Sequence, residues 1–386
     1  MKIKNAFVFF FLSICMFSSC VKSFAPEIEK YEELLVVDGL ITDAPGPYVI
    51  KLSTSAQLKQ LVQYIPYGGC TLTITDDIGN QFPAVEHETG VYKTDSASFR
   101  GVVGRSYKLT IVTKNGDVVE SSEEPLLKAL EIENVYGEVE HKSDPELHFG
   151  KDGYQFYIDL KPLPSSNNFL MWNMQCTYKF RADYPIYSYY DNGVRHEVEN
   201  KDTLRTCYRN KDILDLFILN TNDLKQTSVK RFPLNFEDNY TKALSIRYSL
   251  LVKQFNISES CYNYWSTIKK LRDVQGDLYT QQPFQAKNNI YNLTHPETPV
   301  LGYFTVGGYS EKRIFVNHPA IEDRFDICVI QGDPVKHLDD FLLKHPSLWP
   351  YFFPDPAYGD HMLDQECLDC RGKGKSVLEK PSFWVD

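Results

Sequence analysis

Short segments that alternate apolar and polar residues recur along the first part of this chain, and turn-forming residues separate them. LLVVDGLI begins at Leu34, the turn-rich TDAPGP follows, and YVIKLS then alternates in the manner of a half-buried strand. The pattern continues through CTLTITDDIGNQF, GVYKTD and FRGVVGRSYKLTIVTKNGDVVES, with glycine-containing turns between the strand segments. Short strands at this spacing predict a β-sandwich over about residues 33 to 125.

The remainder of the chain carries longer strand signals. YQFYIDLK, NNFLMWNMQCTYKF, FPLNF and ALSIRYSLLVKQFNI are rich in the aromatic and β-branched side chains that fill pleated faces. Between the two regions, the polar and charged stretch YGEVEHKSDPELHFGKDG, at 136–153, is predicted to be a hinge or a crossover between domains. We therefore expect an all-β protein in which the N-terminal sandwich precedes a larger, mostly-β domain over 126–386.

One segment of the second domain has helical periodicity. In ISESCYNYWSTIKKLRDVQGD, Ser258 is a suitable N-cap and Gly276 a suitable end. Four side chains fall on one face at helical spacing: Cys261, Trp265, Ile268 and Leu271. A tryptophan on such a stripe is more often core than binding site, so we predict a helix over about 258–275 that packs against the second sheet. A shorter helix is expected at 334–344.

The N-terminus has the layout of an exported lipoprotein. A basic start, an apolar run over 6–17 and small residues directly before Cys20 resemble a bacterial signal peptide that ends in a lipobox. The run is shorter than the roughly 20 apolar residues that a membrane-spanning helix needs. We predict a signal peptide over 1–19, lipidation of Cys20 and a lipid-anchored tether over 20–32. The alternative is an ordinary signal peptide followed by an incidental cysteine.

Charge and motifs limit the function classes. The formal net charge is -10, whereas nucleic-acid binding requires a basic face, so we expect no nucleic-acid partner. The sequence contains no G-x-S-x-G, no H-E-x-x-H and no phosphate-binding G-x-x-x-x-G-K-[ST]. Paired carboxylates arise by chance in a chain with this many acids and do not identify a glycosidase. The prediction is a non-enzymatic protein without a cofactor or a metal ion.

The cysteines indicate an oxidising compartment but not their pairing. Seven cysteines follow Cys20: Cys70, Cys176, Cys207, Cys261, Cys328, Cys367 and Cys370. In an exported protein some of them should form disulfides, and the odd count leaves at least one free or shared between molecules. The candidates for structural disulfides are Cys207, Cys367 and Cys370.

The C-terminal C-x-x-C permits other chemistry. Cys367 and Cys370 lie close behind His361, but a zinc site requires four such ligands, and a redox C-x-x-C usually opens a helix in an α/β fold. A metal site, a redox pair and free thiols therefore stay open as alternatives to structural disulfides. We expect the tail to join the C-terminus to the second domain, with Phe383 and Trp384 packed into it.

GVYKTD followed by GVVGRSYKLTIVTKNG resembles the immunoglobulin-like or prealbumin-like sandwich of carboxypeptidase-regulatory domains. The resemblance implies a spacer or docking module, because these strands carry no arrangement of acid, base and nucleophile. Asp76 and Asp77 belong to a turn in this pattern. A calcium site needs several more oxygen ligands than this loop offers, so we expect a turn role for both.

Two segments concentrate aromatic rings. The segments 349–362 and 180–193 combine rings with proline and glycine in predicted loops. Five rings of the first are candidate binding residues: Trp349, Tyr351, Phe352, Phe353 and Tyr358. The alternative is that these rings only bury local apolar surface. Separately, Ser96 and Thr203 each follow an aspartate in the pattern of the Bacteroidota O-glycosylation sequon.

Taken in order, these motifs resemble the DUF4249 family of Bacteroidota lipoproteins, from the lipobox to Trp384. The matching segments are LLVVDGLITDAPGPYVIKLS, TLTITDDIGN, GVYKTD, GRSYKLTI, CYNYWSTIKKL, NNIYNLTHPETPVLGYFTV, EKRIFV and CLDCRGKGKSVLEKPSFW. The resemblance implies an outer-membrane lipoprotein, on the periplasmic or the cell-surface face, that partners a TonB-dependent transporter and has no established catalytic activity. The alternatives are a free-standing surface module that binds glycan or protein, and a hydrolase with an unrecognised site.

Overall fold

The computed structural model describes residues 33–55, 65–162, 167–191, 194–224, 228–274, 286–329, 351–355 and 359–386. The strands are β1 (Leu35–Thr42), β2 (Val49–Thr54), β3 (Ile65–Pro66), β4 (Thr71–Asp76), β5 (Gln81–Glu88), β6 (Val91–Thr94), β7 (Ser106–Val112), β8 (Val118–Ser121), β9 (Glu124–Pro125), β10 (Ile132–Asp144), β11 (Leu147–Leu160), β12 (Phe169–Arg181), β13 (Ser188–Asp191), β14 (Val194–Glu197), β15 (Thr206–Asn220), β16 (Phe232–Asp238), β17 (Arg247–Ile257), β18 (Ile290–Asn292), β19 (Leu301–Asn317), β20 (Tyr351–Asp355), β21 (Gly359–Leu363) and β22 (Ser376–Val377). The helices are α1 (Glu259–Val274) and α2 (Gln365–Leu368), with 3-10 turns at Thr221–Asp223, Lys242–Leu244 and Cys370–Gly372. The protein is therefore all-β with few helices, as the sequence predicts.

The first nine strands surround their own hydrophobic core. Alternation in β4 and β7 turns every second side chain inward, which buries Leu72, Ile74, Leu109 and Ile111. Residues from much later in the chain complete this core: Ile290, Val300, Phe304 and Val306. The core of the N-terminal strands thus depends on segments that follow residue 285.

One hydrogen-bonded sheet connects the two halves of the chain, in the order β18-β8-β7-β4-β5-β6-β2-β1-β19-β17-β12-β15-β22. β1 and β19 pair in parallel, from Val36 opposite Leu301 to Thr42 opposite Gly307. Only glycine fits at position 302, because its φ is 92° and a Cβ there would lie 1.9 Å from a backbone oxygen of β1. The sheet therefore continues past residue 125, the predicted end of the N-terminal sandwich.

A second core lies between this sheet and the three-stranded sheet β10-β11-β16. Trp172 is fully buried in this core, stacks on Phe232 with ring centroids 4.7 Å apart, and donates a 2.9 Å hydrogen bond to the Gln254 side chain. The segment 136–153 forms the paired arms of β10 and β11. The prediction of a hinge or crossover there is wrong, because its polar residues belong to strands with an exposed face.

Helix α1 covers part of the outer face of the sheet. Its bounds match the predicted 258–275, and the Ser258 hydroxyl accepts a 3.1 Å hydrogen bond from the Cys261 backbone N–H, as expected of an N-cap. A third hydrophobic cluster joins the helix to the strands: Phe169, Met171, Phe255, Ile257, Cys261, Tyr264 and Tyr303. Gly276 and the predicted helix at 334–344 lie outside the described residues. No helix in the described ranges is long and apolar enough to cross a membrane.

Candidate functional site: the cleft beside helix α1

A bulge in β15 shapes the open part of the outer sheet face. Met174 of β12 pairs with Ile213, whereas Trp172 pairs with Phe217, so β15 places extra residues between two neighbouring pairs. Leu214 in this bulge is 89% exposed, although its side chain is apolar. The bulge and helix α1 stand on either side of a cleft.

The cleft has a volume of about 660 Å³ and lies between α1 and strands β1, β19, β17, β12 and β15. Its apolar lining includes Leu40, Met171, Leu216, Phe255, Trp265 and Ile268. Small-molecule sites are typically concave, mostly apolar and about 300–1,000 Å³ in volume, with a few polar groups that orient the ligand. The size and lining of this cleft agree with that description.

Charged side chains of both signs stand in the apolar lining. Three of them, Asp38, Lys253 and Lys269, form no ion pair or hydrogen bond with any residue that the structure describes. At the β15 end, Arg272 pairs with Asp215 at 3.3 Å across the mouth of the cleft. Within the described part of the chain, the cleft therefore offers one carboxylate and two ammonium groups that have no ion-pair or hydrogen-bond partner.

Asp38 occupies an unusual place for an acid. It interrupts an apolar strand, with Val37 buried on one side and Gly39 on the other. Asp38 is itself exposed, but nearby protein atoms still raise the pKa of its carboxyl group, and Lys51, opposite it on β2, opposes this shift in part. A second cavity, of about 410 Å³, also contacts Asp38 beneath Trp265 and Ile268. The carboxylate thus borders two cavities.

A buried carboxylate holds the N-terminal end of α1 on the sheet. Glu124 in β9 is only 2% exposed and accepts hydrogen bonds from Ser258 at 2.5 Å and from Ser260 at 3.2 Å. Tyr303 donates to the same carboxylate at 2.6 Å and Asn289 at 3.2 Å. A carboxylate near a helix N-terminus also interacts favourably with the helix dipole. These contacts orient α1 and hence one wall of the cleft.

The two cysteines of the C-terminal C-x-x-C form two separate disulfides. Cys207 bonds to Cys370, and Cys367 bonds to Cys328, which was not among the candidates. Each cysteine of the C-x-x-C therefore pairs with a distant cysteine, and neither sulfur is a free thiolate for a metal ion or for redox exchange within the motif. Among the described residues, Cys70, Cys176 and Cys261 are buried free thiols.

The tail packs on the sheet. Trp384 is 4% exposed, and its ring lies 5.1 Å from Tyr208 and 5.5 Å from Phe315. The Arg313 guanidinium lies 3.7 Å from the centre of the Phe383 ring. His361, the third candidate ligand, is buried in β21. Within the described ranges, no group of three or more His, Cys, Asp or Glu residues is placed to hold a metal ion.

Asp76 and Asp77 have the turn role that their sequence context suggests. The Asp76 carboxylate accepts hydrogen bonds from the backbone N–H groups of Ile78 at 3.2 Å and Asn80 at 2.8 Å. Arg105 pairs with Asp76 at 3.0 Å and with Asp77 at 2.6 Å. These partners occupy the oxygens that a calcium ion would need.

The two aromatic segments meet in one small sheet, of order β14-β13-β20-β21. Ser188 and Tyr189 pair with Phe352 and Tyr351 along the β13–β20 ladder, and Phe353 pairs with His361 in β21. These parts of the segments were predicted as loops, and that prediction is wrong, because local turn composition hid a pairing between distant strands. Trp349 and Tyr358 lie outside the described residues.

The structure describes two of the three candidate modification sites. Ser96 and Thr203 are both exposed in turns, where a glycosyltransferase could reach them. Cys20 lies outside the described residues.

Sequence reasoning missed the polar lining of the α1 cleft. Trp265 and Ile268 were assigned to a core stripe of the helix, and both also line the cleft. The sequence did contain one sign of this polar lining, because Asp38 is a lone acid within the apolar run LLVVDGLI. No local pattern connects Asp38 with Lys253 or Lys269, because more than 200 residues separate it from both.

Comparison with known proteins places the chain in a family without assigning an activity. No curated protein matches. A crystal structure of a DUF4785 family protein from Legionella pneumophila is similar at 8% identity with a TM-score of 0.19, over 59% of this chain and 54% of that one. This chain thus spans about half the length of that structure. The family model of DUF4249, a domain of unknown function, matches residues 21–313, and the chain belongs to the DUF4249 family.

Proposed function

We propose that this protein is a non-catalytic, lipid-anchored binding subunit of the outer membrane that works with a TonB-dependent transporter. The α1 cleft carries the proposal. It is concave, its lining is mostly apolar, and it presents charged groups without partners among the described residues, which are the features of a ligand site. The transporter as partner and the outer membrane as location come from the resemblance to DUF4249 lipoproteins and from the leader that precedes Cys20.

The edge of the long sheet offers a surface for the transporter. β18 ends the described strand order, and Tyr291 and Leu293 beside this edge are 50% and 55% exposed. Open strand edges with exposed apolar side chains favour pairing with another chain. We assign this edge to the contact with the transporter.

The test is purification of the chromosomally tagged protein from outer membranes in mild detergent, followed by mass spectrometry. We expect a TonB-dependent transporter in stoichiometric amount. A Tyr291→Asp/Leu293→Asp variant should lose the transporter. An Ile78→Asp/Val85→Asp variant should retain it, because these 67% and 69% exposed side chains lie in the β4–β5 turn and in β5, away from that edge. A Cys20→Ala variant should leave the membrane fraction.

Two results would contradict the proposal. Recovery of the wild-type protein without a transporter would remove the partner and favour a free-standing binding module. An activity on a defined substrate that is lost on replacing one carboxylate, with folding intact, would make the protein an enzyme.

A further inference from the structure

We propose that a polar cavity at the start of helix α1 binds carbohydrate. The cavity has a volume of about 380 Å³ and is distinct from the α1 cleft. It lies between the first turns of α1, the strand β18 with the three residues before it, and the segment that joins β8 to β9. We call it the α1–β18 pocket. The inference goes beyond the proposed partnership with a transporter and does not depend on it.

The lining of the α1–β18 pocket is polar throughout. Each of the ten described residues that line it carries a hydroxyl, an amide or an amine group: three tyrosines, three asparagines, three serine or threonine residues and one lysine. None of these ten residues is aliphatic, and none is acidic. This composition contrasts with the α1 cleft, whose floor is formed by leucine, methionine and phenylalanine.

The buried Glu124 carboxylate fixes the floor of the pocket. It accepts hydrogen bonds from Ser260 and Asn289, both at 3.2 Å, and from Tyr303 at 2.6 Å. All three donors line the pocket, whereas Glu124 lies beneath them and is 2% exposed. Side chains that are held in place before a ligand arrives lose less conformational entropy on binding. The floor is therefore preorganised.

Four lining side chains are available to a ligand. Ser122, Asn263, Lys287 and Tyr291 form no side-chain hydrogen bond or ion pair with any residue that the structure describes. Hydroxyl and amide groups both donate and accept hydrogen bonds, as the neighbouring hydroxyls of a sugar do. The ring of Tyr291 is half exposed and can cover the apolar C–H face of a sugar ring. These groups match the surface of a carbohydrate.

The composition of the pocket disfavours other ligand classes. A cation would find no carboxylate among the described lining residues. An acyl chain would find no aliphatic side chain there, so its burial would gain little. A phosphate or another multivalent anion would find one ammonium group in the described lining, that of Lys287. A ligand with many hydroxyl groups and no need of charge pairing fits best.

The experiment is binding of the detergent-solubilised full chain to an array of short oligosaccharides of glucose, galactose, mannose or N-acetylglucosamine. Isothermal titration calorimetry then measures the dissociation constant of a retained sugar. We expect at least one of these sugars to be retained and to bind one site per chain.

Variants assign the sugar to the pocket. Asn263→Ala and Ser122→Ala should each weaken binding roughly two- to tenfold, because each removes one hydrogen bond to the sugar. Ser266→Ala is the matched control, since Ser266 lies in the same helix but does not line the pocket, and it should bind as the wild type does. Lys269→Gln, which changes the α1 cleft alone, should also leave binding unchanged. Thermal unfolding checks that every variant is folded.

The proposal is overturned if no sugar on the array is retained, or if both pocket variants bind as the wild type does. Weaker binding by Lys269→Gln, with Asn263→Ala unaffected, would place the sugar in the α1 cleft and would also overturn it. The isolated protein suffices for this test, and Asn263→Ala leaves Tyr291 at the sheet edge unchanged. A missing transporter in the membrane purification therefore does not affect the result.

Discussion

The Glu124 carboxylate accepts a 2.6 Å hydrogen bond from the Tyr303 hydroxyl, although 179 residues separate them along the chain. Three other donors share this carboxylate: Ser258, Ser260 and Asn289. Burial and the neighbouring negative charge both raise the pKa of Tyr303, so its hydroxyl stays protonated and continues to donate. The contact connects the N-terminal strands with β19 and with the start of α1.

Tyr303→Phe tests this contact with minimal change in shape. We expect a loss of about 1.5–3 kcal/mol in the free energy of unfolding, because the variant removes a hydrogen bond to a buried charge. Tyr309→Phe is the control, since the Tyr309 hydroxyl donates to exposed Glu311, and it should cost below about 1 kcal/mol. Urea unfolding followed by far-UV circular dichroism measures both. Equal costs would contradict the prediction, since the buried hydrogen bond would then stabilise the fold no more than the exposed one.

Asp38→Asn should stabilise the ligand-free protein at neutral pH. The folded-state pKa of Asp38 is raised above its ordinary value of 3.8, so between those two pH values the folded protein binds more protons than the unfolded chain. The wild type therefore loses stability as the pH rises through this window, and the asparagine variant lacks this loss. The advantage of the variant should be absent below pH 3.8 and should grow as the pH rises towards the folded-state pKa.

Thermal unfolding of the two proteins across pH measures this difference. A constant difference between them at all pH values would contradict the prediction.

The two disulfides should stabilise the fold to different extents. Cys207–Cys370 has a sequence separation of 163 and Cys328–Cys367 one of 39. Loop-closure entropy predicts a loss of about 5 kcal/mol for the first and about 4 kcal/mol for the second when each pair is replaced by alanines. The measurement is urea unfolding of Cys207→Ala/Cys370→Ala and Cys328→Ala/Cys367→Ala. A larger loss for the second pair would exclude loop length as the main factor.

Trp384→Ala should detach the C-terminal tail. Removal of a buried tryptophan typically costs about 3–5 kcal/mol, and Trp384 contacts both β15 and β19 through Tyr208 and Phe315. Val385→Ala changes the next residue, which is 58% exposed, and should alter stability by less than about 0.5 kcal/mol. Limited proteolysis should cleave the tail faster in the tryptophan variant alone. Unchanged cleavage would mean that the disulfides suffice to hold the tail.

Local patterns account for the elements that the sequence predicts well. The spacing of Cys261, Trp265 and Ile268, with Ser258 before them, predicted α1 to within about a residue at each end. Alternation along β2 and β7 predicted strands in the same way. The same reasoning failed at 136–153, because polar residues in the exposed face of a hairpin resemble those of a linker.

The sequence by itself determined that the chain is all-β and that helix α1 follows β17, because strand and helix periodicities are set by neighbours a few residues apart. The order of its motifs also determined that its family is DUF4249. The tertiary structure decided the parallel pairing of β1 with β19, the partners of Cys367 and Cys370, and the union of Asp38, Lys253 and Lys269 in one cleft. These contacts join segments up to hundreds of residues apart. Their energies come from packing, burial and sheet pairing between distant strands, which leave no periodic trace in the chain.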